Sequence, residues 1–451
     1  MKRQFQVLVT MVLLTMAAAL QAAAAEKPWQ HGRLTVSENG RFLMHADGTP
    51  FFWQGETPWL MPQRLTRDEV VYYLDQCAAA GYNVVQIQVL NAVPSYNAYG
   101  QSSDGDAYWQ HMDHIVQTAE ARGIYVGMVA IWGGLVKAGR LTEAQAKDYG
   151  TFLAQRYKDS PNIVWIMGGD IQGDIHPEVW NMLATTIKAI DHSHLMTYHP
   201  RGRYTSAHWW SQAPWIDFHM FQSGHRRYGQ RTAKDAVYPI PDNTEEDNWQ
   251  YVDSTWAYAP VKPVIDGEPS YEGIPQGLHE ATEPLWQAAD VRRYAYWSVF
   301  AGACGHTYGN NAIMQFYRPG LPPAYFCRKP WHVALHDEGF HQMQHLRRLI
   351  LLFPYFERVP DQTIVKDNGT RYERLAATRG TDYLLVYNCT GRDMRIDLDK
   401  IAGQEKQVWW MDAATGQITP LGVFHSRILT FRPLTNGDGV LIAADATKHY
   451  L

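Results

Sequence analysis

Eight short runs of bulky apolar residues, most of them separated by a helix-length segment, constrain the fold of this chain more than any other feature. They read FFWQG (51 to 55), YNVVQIQVL (82 to 90), IYVGMVAIW (124 to 132), IVWIMGGD (163 to 170), HLMTYH (194 to 199), IDFHMFQ (216 to 222), KPVIDGE (262 to 268) and YWSVFAGACG (296 to 305). A run without polar alternation suits a strand covered on both faces, as in a parallel sheet flanked by helices. Between the runs, Thr66 with Glu69 and Thr142 with Gln145 spell capping boxes, in which side chains satisfy the unpaired donors of a first helical turn. Gly81 and Gly123 stand where helices would end, just before the second and third strands. Eight β/α units in about 300 residues predict an α/β fold, a (β/α)₈ barrel.

From Phe353 the pattern changes to short runs without helices: TIVKD, RLAATRG, DYLLVYNC, MRIDLD, QVWWMD, ILTFRP and GVLIAAD, parted by turn signals. These predict a small antiparallel β-sandwich. The expected organisation is a barrel over residues 26–357 and a sandwich over 358–451, after a removable leader at 1–25. The leader has Lys2 and Arg3, an apolar stretch from Val7 to Leu20 and alanines up to Ala25, the layout of a secretory signal peptide. The mature chain is therefore expected to be exported, to the periplasm or beyond, without inserting in a membrane. Without Lys2 and Arg3 the basic count falls from 40 to 38 against 45 acids, a net charge of about −7. That balance argues against nucleic acid as a partner. Cys77, Cys304, Cys327 and Cys389 are too few for a disulfide scaffold, although Cys304 and Cys327 flank one loop and could pair.

In a (β/α)₈ barrel the carboxyl ends of the strands share one face, and chemistry gathers there. The first strand ends in Glu56, with Trp59 behind it; the second carries Gln86, Gln88 and Asn91, and the third ends in Trp132. Asp170 closes the fourth, His199 and Arg201 follow the fifth, and His219 and Gln222 lie along the sixth. The seventh ends in Asp266, Glu268, Tyr271 and Glu272, and the eighth supplies Trp297, His306, Thr307 and Tyr308. Carboxylates among aromatic rings are the inventory for holding and cleaving a glycoside. That reaction needs one acid to protonate the leaving oxygen and one carboxylate to attack or to activate water. Asp170 and Glu268 are the expected pair, since the fourth and seventh strands face each other across a barrel mouth. Competing roles are a helix cap or Asx-turn for Asp170 and an ion pair with Arg292 for Glu268. Glu56, Trp59, Gln88, Trp132, His199, His219, Gln222, Asp266, Tyr271, Trp297, His306 and Tyr308 are expected to contact the sugar, with orienting a neighbour as the competing role for Glu56 and Asp266.

Two other functions compete with this one. A non-catalytic carbohydrate-binding protein on a degenerate barrel would keep the aromatics and lose turnover. A metal-dependent hydrolase could use the His192, His194 pair, but that pair precedes the fifth strand and so falls on the face opposite the active site. No P-loop, G-x-G-x-x-G or G-x-S-x-G occurs, and no cofactor is implied.

Five segments in order, FFWQGETPW, YNVVQIQVL, IVWIMGGD, DGEPSYE and GHTYGNNAIMQFY, resemble the signature stretches of the apiosidase-like glycoside hydrolases. In that family a barrel is followed by a small domain labelled collagen-binding, whose Trp-rich strand VWWMDAATGQ resembles. The resemblance implies Asp170 as acid/base, Glu268 as nucleophile, retention of configuration, no metal or organic cofactor, and a plant pectin substrate from which apiose is released, notably rhamnogalacturonan II. Gly169 departs from the Asn that many fourth-strand acid/base glycosidases place there, and Gln54 and Glu56 stand where a Gly-Asp ending is expected. For the small domain the expected role is packing on the barrel, with Trp409 and Trp410 the first suspects if it binds anything.

Overall fold

A computed structural model describes residues 27–92, 105–230, 246–425 and 427–451. The leader expected at 1–25 lies outside the described residues. Three short antiparallel strands, β1 (Leu34–Val36), β2 (Leu43–His45) and β3 (Pro50–Phe51), precede the barrel. The barrel strands are β4 (Trp53–Glu56), β5 (Val84–Leu90), β6 (Tyr125–Ile131), β7 (Ile163–Ile171), β8 (Met196–Pro200), β10 (His219–Gln222), β11 (Val264–Asp266) and β12 (Gly305–Tyr308). A two-residue strand, β9 (Tyr204–Thr205), pairs antiparallel with β10 at the rim. The sheet runs β8-β7-β6-β5-β4-β12-β11-β10-β9, parallel throughout except for β9. Hydrogen bonds from the Asp217 N–H to the Met196 carbonyl (2.8 Å) and from Thr197 Oγ1 to the Phe218 carbonyl (2.7 Å) close the ring between β8 and the chain entering β10.

The local signals act as their chemistry requires. Thr66 and Glu69 satisfy each other's backbone donors at the start of helix Arg67–Ala79, and Thr142 and Gln145 do so for helix Glu143–Tyr157. Gly81 and Gly123 take φ of +85° and +73°, the left-handed turn that ends a helix and releases the chain into a strand.

The eighth strand is displaced from the run that suggested it. Residues 296–300 of YWSVFAGACG finish helix Ala288–Phe300, and the strand begins at Gly305. From Val291 to Phe300 every residue of the helix is buried between barrel and small domain, so this part lacks the polar face that marks a helix in sequence.

The small domain is a six-stranded antiparallel sheet, β13 (Val359–Pro360), β14 (Ala376–Arg379), β15 (Tyr383–Asn388), β20 (Gly439–Asp445), β17 (Glu405–Asp412) and β18 (Ile418–His425), with β16 (Met394–Asp397) and β19 (Ile428–Phe431) as a second layer. TIVKD forms a 3₁₀ turn and an isolated bridge in place of the expected strand, and β18 is a strand that the sequence runs missed. Neither Trp409 nor Trp410 is an exposed binding residue. Successive strand side chains point to opposite faces, so Trp409 packs into the core shared with the barrel and Trp410 into the core between the two layers. Arg292 fastens the domains through a fully buried pair with Asp438, at 2.9 and 2.5 Å. Cys304 and Cys327 are separate free thiols, each donating to a backbone carbonyl.

Candidate active site

The end of β7 breaks strand geometry. Backbone φ is +85° at Gly168, +99° at Gly169 and +51° at Asp170, and pairing with β8 slips between Gly168 and Ile171. A β-carbon at Gly168 would lie 2.4 Å from the His199 carbonyl oxygen, and one at Gly169 would lie 2.7 Å from Trp132 Cε3. Both glycines are therefore required, by torsion and by space, and together they turn the Asp170 carboxylate out of the sheet into the barrel mouth. Asp170 caps no helix: the next one starts at Pro177, after His176.

His199, fully buried on β8, joins the two acids. The Asp170 N–H donates to His199 Nδ1 at 3.2 Å. A backbone N–H can only donate, so Nδ1 carries no proton and the ring's hydrogen sits on Nε2. Nε2 lies 3.1 Å from Glu268 Oε2, somewhat off the straight hydrogen-bond line. The other oxygen, Oε1, meets His225 Nε2 at 3.2 Å. Glu268 is thus held between two imidazoles, and Arg292, its expected rival partner, is engaged elsewhere.

These contacts drive the two carboxyls apart. Asp170 opens on the cleft, yet the enclosing walls strip much of its hydration; with the Glu268 charge added, its carboxyl is pushed up to about 6. Burial opposes the charge of Glu268 as well, but the donors of His199 and His225 overcome that and hold it down at about 2. Around pH 4 one group is an acid and the other a base, the division of labour that glycoside cleavage requires.

The cleft above them has a volume of about 430 Å³. Trp59, Trp132, Tyr271 and Tyr325 give it aromatic walls, and Arg201, Arg203 and Arg226 reach it from the loops after β8 and β10. Trp59 Nε1 donates to the Tyr271 hydroxyl at 2.8 Å, which fixes two of these rings against each other.

Residues 37–357 match the family described as "Apiosidase-like, catalytic domain". The chain belongs to the apiosidase-like glycoside hydrolases. Residues 359–443 match the family described as "Putative collagen-binding domain of a collagenase". A solved structure described as a glycoside hydrolase is 55% identical over 94% of this chain and 100% of its own, with a TM-score of 0.92. A glycoside hydrolase family 5 structure from Bacteroides vulgatus ATCC 8482 gives the same identity and TM-score over 94% of this chain and 96% of its own. No curated protein matches the chain.

In this apiosidase-like hydrolase the expected site residues divide into three groups. Trp59, Gln88, Trp132, Asp170, Gln222, Glu268 and Tyr271 line one cleft. His199 lies beneath it and acts on the carboxylates, not on the cavity. The remaining six are withdrawn from the cleft and cannot touch a sugar there. Glu56 accepts the hydroxyl of Tyr73 from the helix behind it, and burial pushes its carboxyl up to about 8. His219 contacts Ser206 Oγ at 3.0 Å, Asp266 accepts from Ser223 and Asn248, and Tyr308 donates to Glu272 at 2.6 Å. His306 is buried, with burial lowering it to about 3, and Trp297 belongs to helix Ala288–Phe300. Parallel strands are buried on both faces, so a polar residue near a strand end can equally well face the helix layer.

The residues that sequence reasoning missed, His225, Arg203, Arg226, His279 and Tyr325, all stand on loops. His225 had one available signal, its place three residues beyond Gln222 on the same strand exit. The His192, His194 pair is structural at His194, which contacts Asp191 at 2.6 Å.

Proposed function

We propose that this glycoside hydrolase is an exported, retaining enzyme of plant cell-wall glycans of pectin type, with apiose-bearing chains as the first candidate substrate. The observation that carries the mechanism is the pairing of Asp170 and Glu268 in one cleft with opposite shifts, linked by His199. Asp170, protonated, gives its hydrogen to the glycosidic oxygen as the carbon–oxygen bond breaks, while Glu268 attacks the anomeric carbon and forms a glycosyl ester. Asp170, now ionised, takes a proton from water, whose oxygen displaces Glu268 and frees the sugar. His199 and His225 keep Glu268 charged until it attacks, and the aromatic walls give the sugar rings faces to stack on.

Three features support the finer reading. Arg201, Arg203 and Arg226 give the cleft a cationic side, which suits a glycan carrying carboxylates near the cleaved bond. Gly169 offers no amide to a sugar 2-hydroxyl, in keeping with an unusual ring such as the furanose apiose. The basic and apolar start of the chain supports export.

The test is product analysis by chromatography after purified residues 26–451 are incubated with rhamnogalacturonan II and a panel of other plant and bacterial glycans, Glu268→Gln serving as control. Apiose released by the parent and not by the variant is expected. Release of another sugar would replace the substrate and keep the mechanism. Glycan binding without turnover would overturn the proposed reaction.

A further inference from the structure

The loop leaving β10 brings Gly224, His225 and Arg226 to the cleft, and two different parts of the molecule hold it. Its first part is fixed by the barrel's own loops. The Gly224 N–H donates to the Glu268 carbonyl at 3.2 Å, and Ser270 Oγ donates to the Gly224 carbonyl at 2.8 Å. The His225 carbonyl accepts from the Gly277 N–H at 2.7 Å and from Trp286 Nε1 at 3.2 Å. Beyond Arg226, the half-exposed pair of Arg227 with Glu283 (2.9 Å) is a weak tether, because water screens it, and Gln230 adds a second, accepting from the Arg227 N–H at 3.2 Å and donating to the Gln276 carbonyl at 3.0 Å.

At Tyr228 the small domain adds its own contacts to those of the barrel. Its 3₁₀ turn Arg371–Glu373 sits against this loop and against the chain that leads into helix Trp249–Trp256. The ring of Tyr372 meets the ring of Tyr228 edge-on at 5.2 Å, and the Arg371 guanidinium lies 4.8 Å over the Tyr228 ring. Tyr228 donates its N–H to Glu246 Oε1 at 2.9 Å and its hydroxyl to Asp247 at 2.5 Å. Glu246 is fully buried, a costly place for a carboxylate unless donors surround it. Among the described residues it has three: the Tyr228 N–H, the Tyr372 hydroxyl at 2.7 Å and Arg293 at 2.5 Å. The Arg374 guanidinium stacks 3.6 Å from the centre of the Trp249 ring. Arg371 itself takes φ of +54°, a torsion that a non-glycine residue keeps only where its surroundings hold it.

We infer that the small domain serves the active site as a brace: Tyr372 is a positioning residue that fixes Tyr228 through Glu246 and so holds Arg226 in the substrate cleft. This goes beyond a domain that merely packs on the barrel, and it rests on the reading of the cleft as the glycan site. His225 is anchored independently, through Gly277 and Trp286. The brace therefore acts on substrate binding and leaves the charge of Glu268 alone.

The experiment compares full-length Tyr372→Ala, Tyr372→Phe and Leu434→Ser, the last an exposed position of the same domain as control. Two quantities are read: amide hydrogen exchange over residues 224–230, and kcat and KM on the glycan that the parent cleaves. Tyr372→Ala is expected to speed exchange at Tyr228 and to raise KM by about 3- to 10-fold, with kcat within about twofold of the parent. Tyr372→Phe, which keeps the ring and loses the hydroxyl, shifts both in the same direction by less, and Leu434→Ser shifts neither. Parental exchange and KM in Tyr372→Ala would overturn the inference. So would faster exchange with an unchanged KM, or a loss of kcat accompanied by faster exchange throughout the barrel strands. Exchange needs no substrate, so absence of turnover in the parent would count against the glycosidase reading alone, and parental exchange in Tyr372→Ala against the brace.

Discussion

Gly169→Ala tests whether the end of β7 is built for the position of Asp170. The new β-carbon would lie 2.7 Å from Trp132 Cε3, 3.1 Å from Cδ2 and 3.2 Å from the Gly133 nitrogen, where carbon contacts ordinarily begin at about 3.5 Å. It would also sit at φ of +99°, beyond the small left-handed well open to L-residues. The torsion costs about 1–2 kcal/mol, and overlap in a packed site costs about 1–3 kcal/mol. A stiffer unfolded chain returns about 0.5 kcal/mol, so the net loss is about 1.5–4.5 kcal/mol. Relief can come only by moving Trp132, a wall of the cleft, or the backbone before Asp170, so kcat/KM should fall by about 10-fold or more even where the variant stays folded. Urea unfolding followed by tryptophan fluorescence gives the first quantity and initial rates the second. A variant within about 0.5 kcal/mol of the parent, with parental kcat/KM, would refute the claim that this turn sets the acid in place.

Three further predictions follow from the charges. As the proposed acid Asp170 must be protonated to act, and burial with the Glu268 charge pushes its carboxyl up to about 6, so kcat/KM should fall as pH rises through about 6; the low-pH limb, set by Glu268 held down at about 2, lies below the range in which rates are usually measured. An alkaline limb near pH 4 would contradict the assignment of the acid. His225→Ala removes one of the two donors to Glu268, so a pH–rate profile should show the low limb moving up toward the ordinary carboxylate range and kcat/KM falling by about 10- to 100-fold. Arg292→Ala leaves Asp438 buried between the domains without its cation, only the Tyr387 hydroxyl still donating to it among the described residues, and should lower unfolding free energy in urea by about 3–5 kcal/mol.

Legibility in the sequence followed burial. Seven barrel strands could be seen because strands covered on both faces leave unbroken apolar runs such as IVWIMGGD, and the caps could be seen because Thr66, Thr142, Gly81 and Gly123 act within one helical turn. The eighth was misplaced for the same reason. Helix Ala288–Phe300 is buried from Val291 onward between the barrel and the small domain, so its end looks like a strand, and Trp297 became a false site residue. That Asp170 and Glu268 share one cleft was legible because strand ends of a barrel converge. Glu56, Asp266, His306 and Tyr308 stand at strand ends too, and only their partners in the structure distinguish a residue in the cleft from one withdrawn into the protein. His225, Arg226 and Tyr325 lie on loops whose path depends on distant contacts, the turn at Tyr372 among them, and no local pattern marks them.

The proposed mechanism is a double displacement by Asp170 and Glu268, and the configuration of the first product reports on it directly. Proton NMR recorded during the first minutes of turnover on the cleaved glycan, before the free sugar equilibrates, resolves the anomeric signal. Two attacks on opposite faces leave the product with the configuration of the substrate, and that is the predicted result. A first product of inverted configuration would mean that water attacks directly and that Glu268 is a base, contradicting the covalent role assigned to it.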